Sequence, residues 1–323
     1  MDIEKDVEEI KRTKNGGGLL NLNQKAIEKL EENKYDESLK LFKEAVEISR
    51  DVQSLNNLAW IYCHEEDDDT KALGLLEEVI NMNPKSHFPY NLLGEIYCRQ
   101  EKWVSAKDIF QKSISIQSSK TAYNNLAVAN YHLRNIEDAS KYFLLASENS
   151  DYAMYSHVKC LIELGNRSEA KRKLDAFSET DVEFVGEVDV ADLYVELGCY
   201  EEAIKWFEKG WDVYSKQVNW ISRYIFSLLK MNHPTRSHEL LNEVINEKIE
   251  EVKEAYDEEC DEDWSESDKQ AHINELLDEK KEYEQMFEQI LSGYIPTMEF
   301  DTSIQKACYL FGCNRHNHPE YQE

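Results

Sequence analysis

The sequence predicts an all-α fold, a solenoid of stacked helical hairpins followed by one longer helical hairpin. Three observations carry that reading. Glycine and proline are scarce, 11 and 5 in 323 residues, and sandwiches or β-barrels need more tight turns than that. A motif of small and large apolar residues recurs at intervals of 31–34 residues. Within each copy the apolar positions fall four and then three apart, which is one face of a helix.

The copies align on the small residue after each turn: Ser38, Ala72, Ala106, Ala139, Ala170 and Ala203. Four residues on stand Phe42, Leu76, Phe110, Phe143, Leu174 and Phe207. A second helix precedes each of these, with cores such as NNLAWIY, YNLLGEIY, YNNLAVANY and VDVADLYVELG. Ala59, Gly94, Ala127 and Ala191 form its seam, and small residues there let two helix axes approach to about 8–10 Å.

The aromatic–small–aromatic run Tyr90, Gly94, Tyr97 and the Tyr/Ala/Phe/Ala series of the second helices resemble the tetratricopeptide repeat (TPR) family. That family's unit is 34 residues long. The resemblance implies a TPR-type α-solenoid, a right-handed superhelix of helical hairpins, over 19–250. Its units lie near 19–52, 53–86, 87–119, 120–150, 151–183 and 184–216, with a degenerate seventh at 217–250. Tyr224 and Arg236 stand there in place of small residues. The family's proline after the second helix appears once, as Pro84, and the short fifth unit puts His157 and Val158 at its seam.

Residues 1–18 are charged, end in glycines and read as a flexible leader. Beyond the repeats, Leu241, Ile245, Ile249, Val252 and Tyr256 continue one apolar stripe. Ile273, Leu276, Tyr283, Phe287 and Ile290 form a second stripe after an acidic loop. This predicts a long acidic helical hairpin over 251–296, its second helix starting at Ser265 or Ser267. Residues 297–323 read as a short helix at 302–311, closed by Gly312, and a tail bearing cysteine and histidine.

Charge excludes several function classes. Lysine and arginine number 37 against 65 acids, a net of −28, which repels nucleic acid and anionic membrane. Between Glu247 and Asp268 there are 12 acids and two lysines. No uncharged run is long enough to span a membrane and no secretory signal opens the chain, so the expectation is cytoplasmic. Seven scattered cysteines fit a reducing compartment.

Stacked hairpins leave a concave groove lined by the first helix of each unit. Those helices carry asparagine repeatedly: Asn23, Asn56, Asn91 and Asn124, with Asn57 and Asn125 adjacent. Asparagine is a poor helix former, so its recurrence needs a reason. A carboxamide donates to and accepts from a peptide backbone at once, and in the TPR family groove asparagines resemble such a clamp. The competing reading is a bond to the neighbouring repeat. Phe88, Trp60, Tyr131, Tyr152 and Tyr155 offer aromatic contacts, with Trp60 expected exposed. Trp103, Phe110 and Phe143 are expected in the core. Glu95, Arg99, Lys159, Asp189 and Asp192 add charge to the groove. The basic residues of the TPR clamp for acidic C-terminal peptides are missing, which excludes that co-chaperone role.

The expected function is therefore a non-catalytic scaffold or adaptor holding a protein or peptide segment in its groove, with no cofactor. The alternative is an acidic inhibitor or immunity-type protein masking a basic partner such as a nuclease. A further alternative is a metal-dependent site at Cys308, Cys313, His316 and His318, spaced C-x4-C-x2-H-x-H. That spacing is not a recognised finger, so no metal is favoured over a packed tail. There is no phosphate loop, nucleophile elbow or HExxH helix. His64, His132 and His233 are expected at the surface. An open groove and one filled by the tail have the same sequence.

Overall fold

A computed structural model describes residues 22–148, 150–180, 183–261 and 264–322. The charged leader lies outside them. Among the described residues seven helical hairpins succeed one another, each helix packing on the next from Leu22 to Ala146 and again from Asp151 to Leu291. They are α1 (Leu22–Glu31) with α2 (Tyr35–Ile48), α3 (Val52–His64) with α4 (Asp69–Asn81), and α5 (Phe88–Arg99) with α6 (Trp103–Ile116). Next come α7 (Lys120–His132) with α8 (Ile136–Ala146), α9 (Asp151–Glu163) with α10 (Arg167–Leu174), α11 (Glu187–Glu196) with α12 (Tyr200–Gly210), and α13 (Val218–Lys230) with α14 (Pro234–Asp257). The last helix, α15 (Glu266–Leu291), packs back on α14. No strand occurs among the described residues.

The repeat is written in the backbone as well as the side chains. Each hairpin turns on one residue with positive φ: Asn33, Asp67, Glu101, Arg134, Gly165, Gly198 and Asn232. A left-handed residue at that position ends a helix by satisfying its last carbonyls. Only two of the seven are glycine. The rest accept the modest cost of a Cβ in this conformation, so a glycine-poor chain still makes seven tight turns. The seventh hairpin is a full member: Tyr224 and Trp220 are buried on Phe207 and Trp211.

The small-residue seam is tight. A Cβ built on Gly94 would lie 2.5–2.9 Å from the ring of Phe110, which is itself fully buried. Gly94→Ala should therefore overpack the α5–α6 seam and cost about 1–3 kcal/mol. A lower urea midpoint at unchanged m-value would show it. Ala127, equally buried, marks the same seam one repeat later.

The chain divides into two compact units. The first holds the described residues up to Ala146 together with those from Ser303 onward; the second is Ser147–Thr302. In the second, α14 and α15 form an acidic hairpin, with Ser265 as a capping box on Asp268. Lys248 lies between Glu251 and Glu279, at 2.7 and 2.8 Å, and ties α14 to α15.

Three expectations fail. Residues 302–311 form no helix; side chains of the first unit hold alternate carbonyls of 303–311 instead. Trp103 is half-buried, its ring stacked on exposed His132, because the first position of α6 lies at the edge of the seam. His64 is not at the surface: its side chain is 10% exposed and stands 3.4 Å from the fully buried carboxylate of Glu95.

Candidate functional site

In the first unit, α3, α5 and α7 present their asparagines to one strip of chain, residues 303–311. Asn124 Nδ2 donates to the Ser303 carbonyl at 3.2 Å and Asn125 Nδ2 to the Gln305 carbonyl at 2.9 Å. Trp60 Nε1 reaches the Ala307 carbonyl at 3.4 Å. Asn56 Nδ2 donates to the Tyr309 carbonyl at 2.7 Å and Asn57 Nδ2 to the Phe311 carbonyl at 3.0 Å. Five alternate carbonyls thus meet five side-chain donors. Alternation by two is the geometry of an extended chain, whose successive carbonyls point to opposite sides. A helix at 302–311 would turn these carbonyls inward, so binding to the groove overrides the helical reading of this stretch.

Asn57 and Asn125 each close a ring with one residue. The Phe311 amide donates to Asn57 Oδ1 at 2.8 Å and the Gln305 amide donates to Asn125 Oδ1 at 2.8 Å. Residues 57, 91 and 125 are spaced by 34 each, and two of them grip residues 305 and 311. Asn91 holds the middle register yet grips no backbone; its Oδ1 accepts from Ser113 Oγ and its Nδ2 has no acceptor. Asn23, one period earlier, serves the neighbouring repeat instead, donating to Ser54 Oγ at 3.0 Å.

Side chains of the strip anchor it. Tyr309, Leu310 and Phe311 are buried in the core of the first unit. Phe88 meets Tyr309, Phe311 and His318 with ring centroids 5.7, 5.0 and 4.7 Å away. Trp60, expected exposed, is half-buried beneath the strip. Glu95 is fully buried beside Tyr309 of the strip; burial raises its pKa, while His64 and Tyr309 partly oppose that. Burial alone would lower the His64 pKa, but hydrogen bonds to Cys63 and Glu95 bring it up to about 9. Arg99 is held by Asp69. Tyr131 touches His132 edge-on.

In the second unit the preceding residues, 296–300, are held by different chemistry. Arg223, 1% exposed, donates to the Pro296 carbonyl at 3.2 Å, to Asp192 Oδ1 at 2.6 Å and to Glu196 Oε1 at 3.0 Å. Phe300 lies against Tyr155, centroids 5.6 Å apart, with Lys159 Nζ 5.4 Å from its ring. Tyr152 is exposed. Arg223 is the residue that periodicity does not reveal, since it sits in the degenerate seventh unit. Burial pushes Asp189 and Asp192 up to about 6, against the pull of Arg223 on the latter.

The cysteine and histidine group closes the same strip. Cys308, Cys313 and His316 bring their donor atoms within 4.8 Å of one another, and Cys313 Sγ lies 3.3 Å from His316 Nδ1. His318 does not join this trio of donors; its ring stacks on His316 with centroids 5.5 Å apart, and its Nδ1 is 3.1 Å from the Leu310 carbonyl. Burial pushes the Cys308 thiol up to about 12.

The architecture has solved counterparts. A tetratricopeptide repeat protein from Parabacteroides merdae superposes with a TM-score of 0.53 at 17% identity, over 80% of this chain and 97% of that one. The chain has the tetratricopeptide-repeat fold. YrrB, described as a TPR protein with an unusual peptide-binding site, matches at 22% identity over 53% of this chain and 91% of that one, with a TM-score of 0.46. Yeast Tom70 matches at 14% identity over 84% of this chain and 56% of that one, with a TM-score of 0.44. No protein-family model matches the sequence. No curated protein matches it either. Among the described residues, no helix is long and apolar enough to cross a membrane.

Proposed function

We propose that this chain is a non-catalytic protein-interaction scaffold whose first unit takes an extended polypeptide by its main chain. Residues 303–311 are the resident occupant, which an incoming segment displaces. The five alternate carbonyls met by Asn124, Asn125, Trp60, Asn56 and Asn57 support this most directly. Such donors read the backbone and tolerate many side chains. The apolar floor at Phe88 adds a preference for large apolar residues two apart, as at 309 and 311.

The chain ended after Thr302 should bind a labelled peptide of sequence 303–321 added in trans. Asn57→Ala with Asn125→Ala should weaken that binding by about 30-fold or more at unchanged helicity. Each replacement leaves a buried amide and carbonyl of the peptide unpaired, worth about 1–3 kcal/mol. A folded, shortened chain that ignores the peptide overturns the reading.

One feature supports masking of a basic partner instead. Glu250, Glu251, Glu254, Asp257 and Glu258 are all exposed near the end of α14. A basic protein docking there should associate more slowly as salt rises. Salt-independent association counts against it.

A further inference from the structure

We propose that Cys308, Cys313 and His316 form a binding site for zinc or another thiophilic divalent cation. The three donors come from one nine-residue stretch that folds back on itself. Their ligand atoms already lie within 4.8 Å of one another, so side-chain rotation alone brings them onto one ion at ordinary Zn–S and Zn–N lengths of about 2.3 and 2.0–2.1 Å. The stretch is held by more than these side chains. The Gly312 amide donates to the Pro319 carbonyl at 3.0 Å and the His318 amide to the Cys313 carbonyl at 2.9 Å. Gly312 and Asn317 supply the positive φ that the reversal needs.

Two thiols and an imidazole select zinc over magnesium or calcium, which prefer oxygen. Burial grades across the trio: Cys313 is buried, Cys308 half-buried and His316 exposed. The ion therefore sits at the surface with a fourth position open to water. The site also has a place in the strip. Cys308 lies between Ala307 and Tyr309, whose carbonyls Trp60 and Asn56 hold. An ion there ties Cys308 to Cys313 across the buried anchor Tyr309–Phe311. The ion's binding stands on these atoms and does not depend on the peptide-binding reading.

The test uses the full chain, reduced with a non-chelating phosphine and titrated with cobalt(II), then zinc(II). The expected result is a thiolate-to-cobalt charge-transfer band that saturates at one equivalent and is erased by one equivalent of zinc. Cys308→Ser and His316→Ala, neither at a fully buried side chain, should each weaken zinc binding at least tenfold in competition with a chromophoric chelator. Absence of the thiolate band, or unchanged zinc affinity in both variants, overturns the site and leaves only loose binding to the acidic surface.

Discussion

Replacing Phe311 by alanine is expected to release the 303–311 strip and to open the groove of the first unit. Phe311 is 2% exposed and lies between Phe88 and Tyr321, with ring centroids 5.0 and 5.3 Å away. Truncating a buried phenylalanine costs about 3–5 kcal/mol. Here the cost has a ceiling. The strip is joined to the rest of the first unit by docking, so once the cavity costs more than docking is worth, the strip leaves and the helices stay folded. The variant therefore measures the docking free energy. Cleavage by a protease within 303–311 should accelerate at least 100-fold, since about 1.4 kcal/mol is tenfold, while far-ultraviolet circular dichroism stays nearly unchanged. The same variant should accept the labelled 303–321 peptide that the unaltered chain excludes. Cleavage within threefold of the unaltered chain would mean that Phe311 does not hold the strip.

The hairpins were legible because their signal is local. Apolar spacing of four and three is set by the pitch of a single helix, and the 34-residue period by a single hairpin. The groove residues were half legible. Asparagine in mid-helix is costly enough to stand out, yet Asn56, Asn91 and Asn124 mix two registers. The exact period through Asn23, Asn57, Asn91 and Asn125 separates them, and Asn57 and Asn125 make the paired bonds. The occupant was not legible. Asn57 and Phe311 are 254 residues apart, and what is recognised is a row of carbonyls that every residue carries. Nothing in SIQKACYLF distinguishes a strip gripped by its backbone from a short amphipathic helix. Arg223 was hidden for a related reason: a buried guanidinium is tolerated only where partners converge, and Asp192, Glu196 and Pro296 lie 27–73 residues away.

Arg223→Met is expected to be the most damaging single change in the second unit. The side chains are close in length, so packing is largely kept, and the loss is electrostatic. Asp192 is then left buried without its cation, and breaking a buried pair from one side costs about 3–5 kcal/mol. The sign of the pH dependence follows from the carboxylate. Burial already holds Asp192 at about 6 in the presence of Arg223, above its unfolded value near 3.8, so its contribution is greatest below that unfolded value and falls as pH rises through 6. Without Arg223 the folded pKa climbs further, and the window of loss extends upward. Asp189 and Glu196, which face the same space, push in the same direction. The penalty of Arg223→Met, read as a shift in urea midpoint, should therefore be small at pH 5 and large at pH 8. Adding Asp192→Asn should restore part of the loss at pH 8 and little at pH 5, because an amide needs no counter-charge and the protonated acid needs none either. An equal penalty at both pH values, unmoved by Asp192→Asn, would show that Arg223 acts through its bond to the Pro296 carbonyl alone.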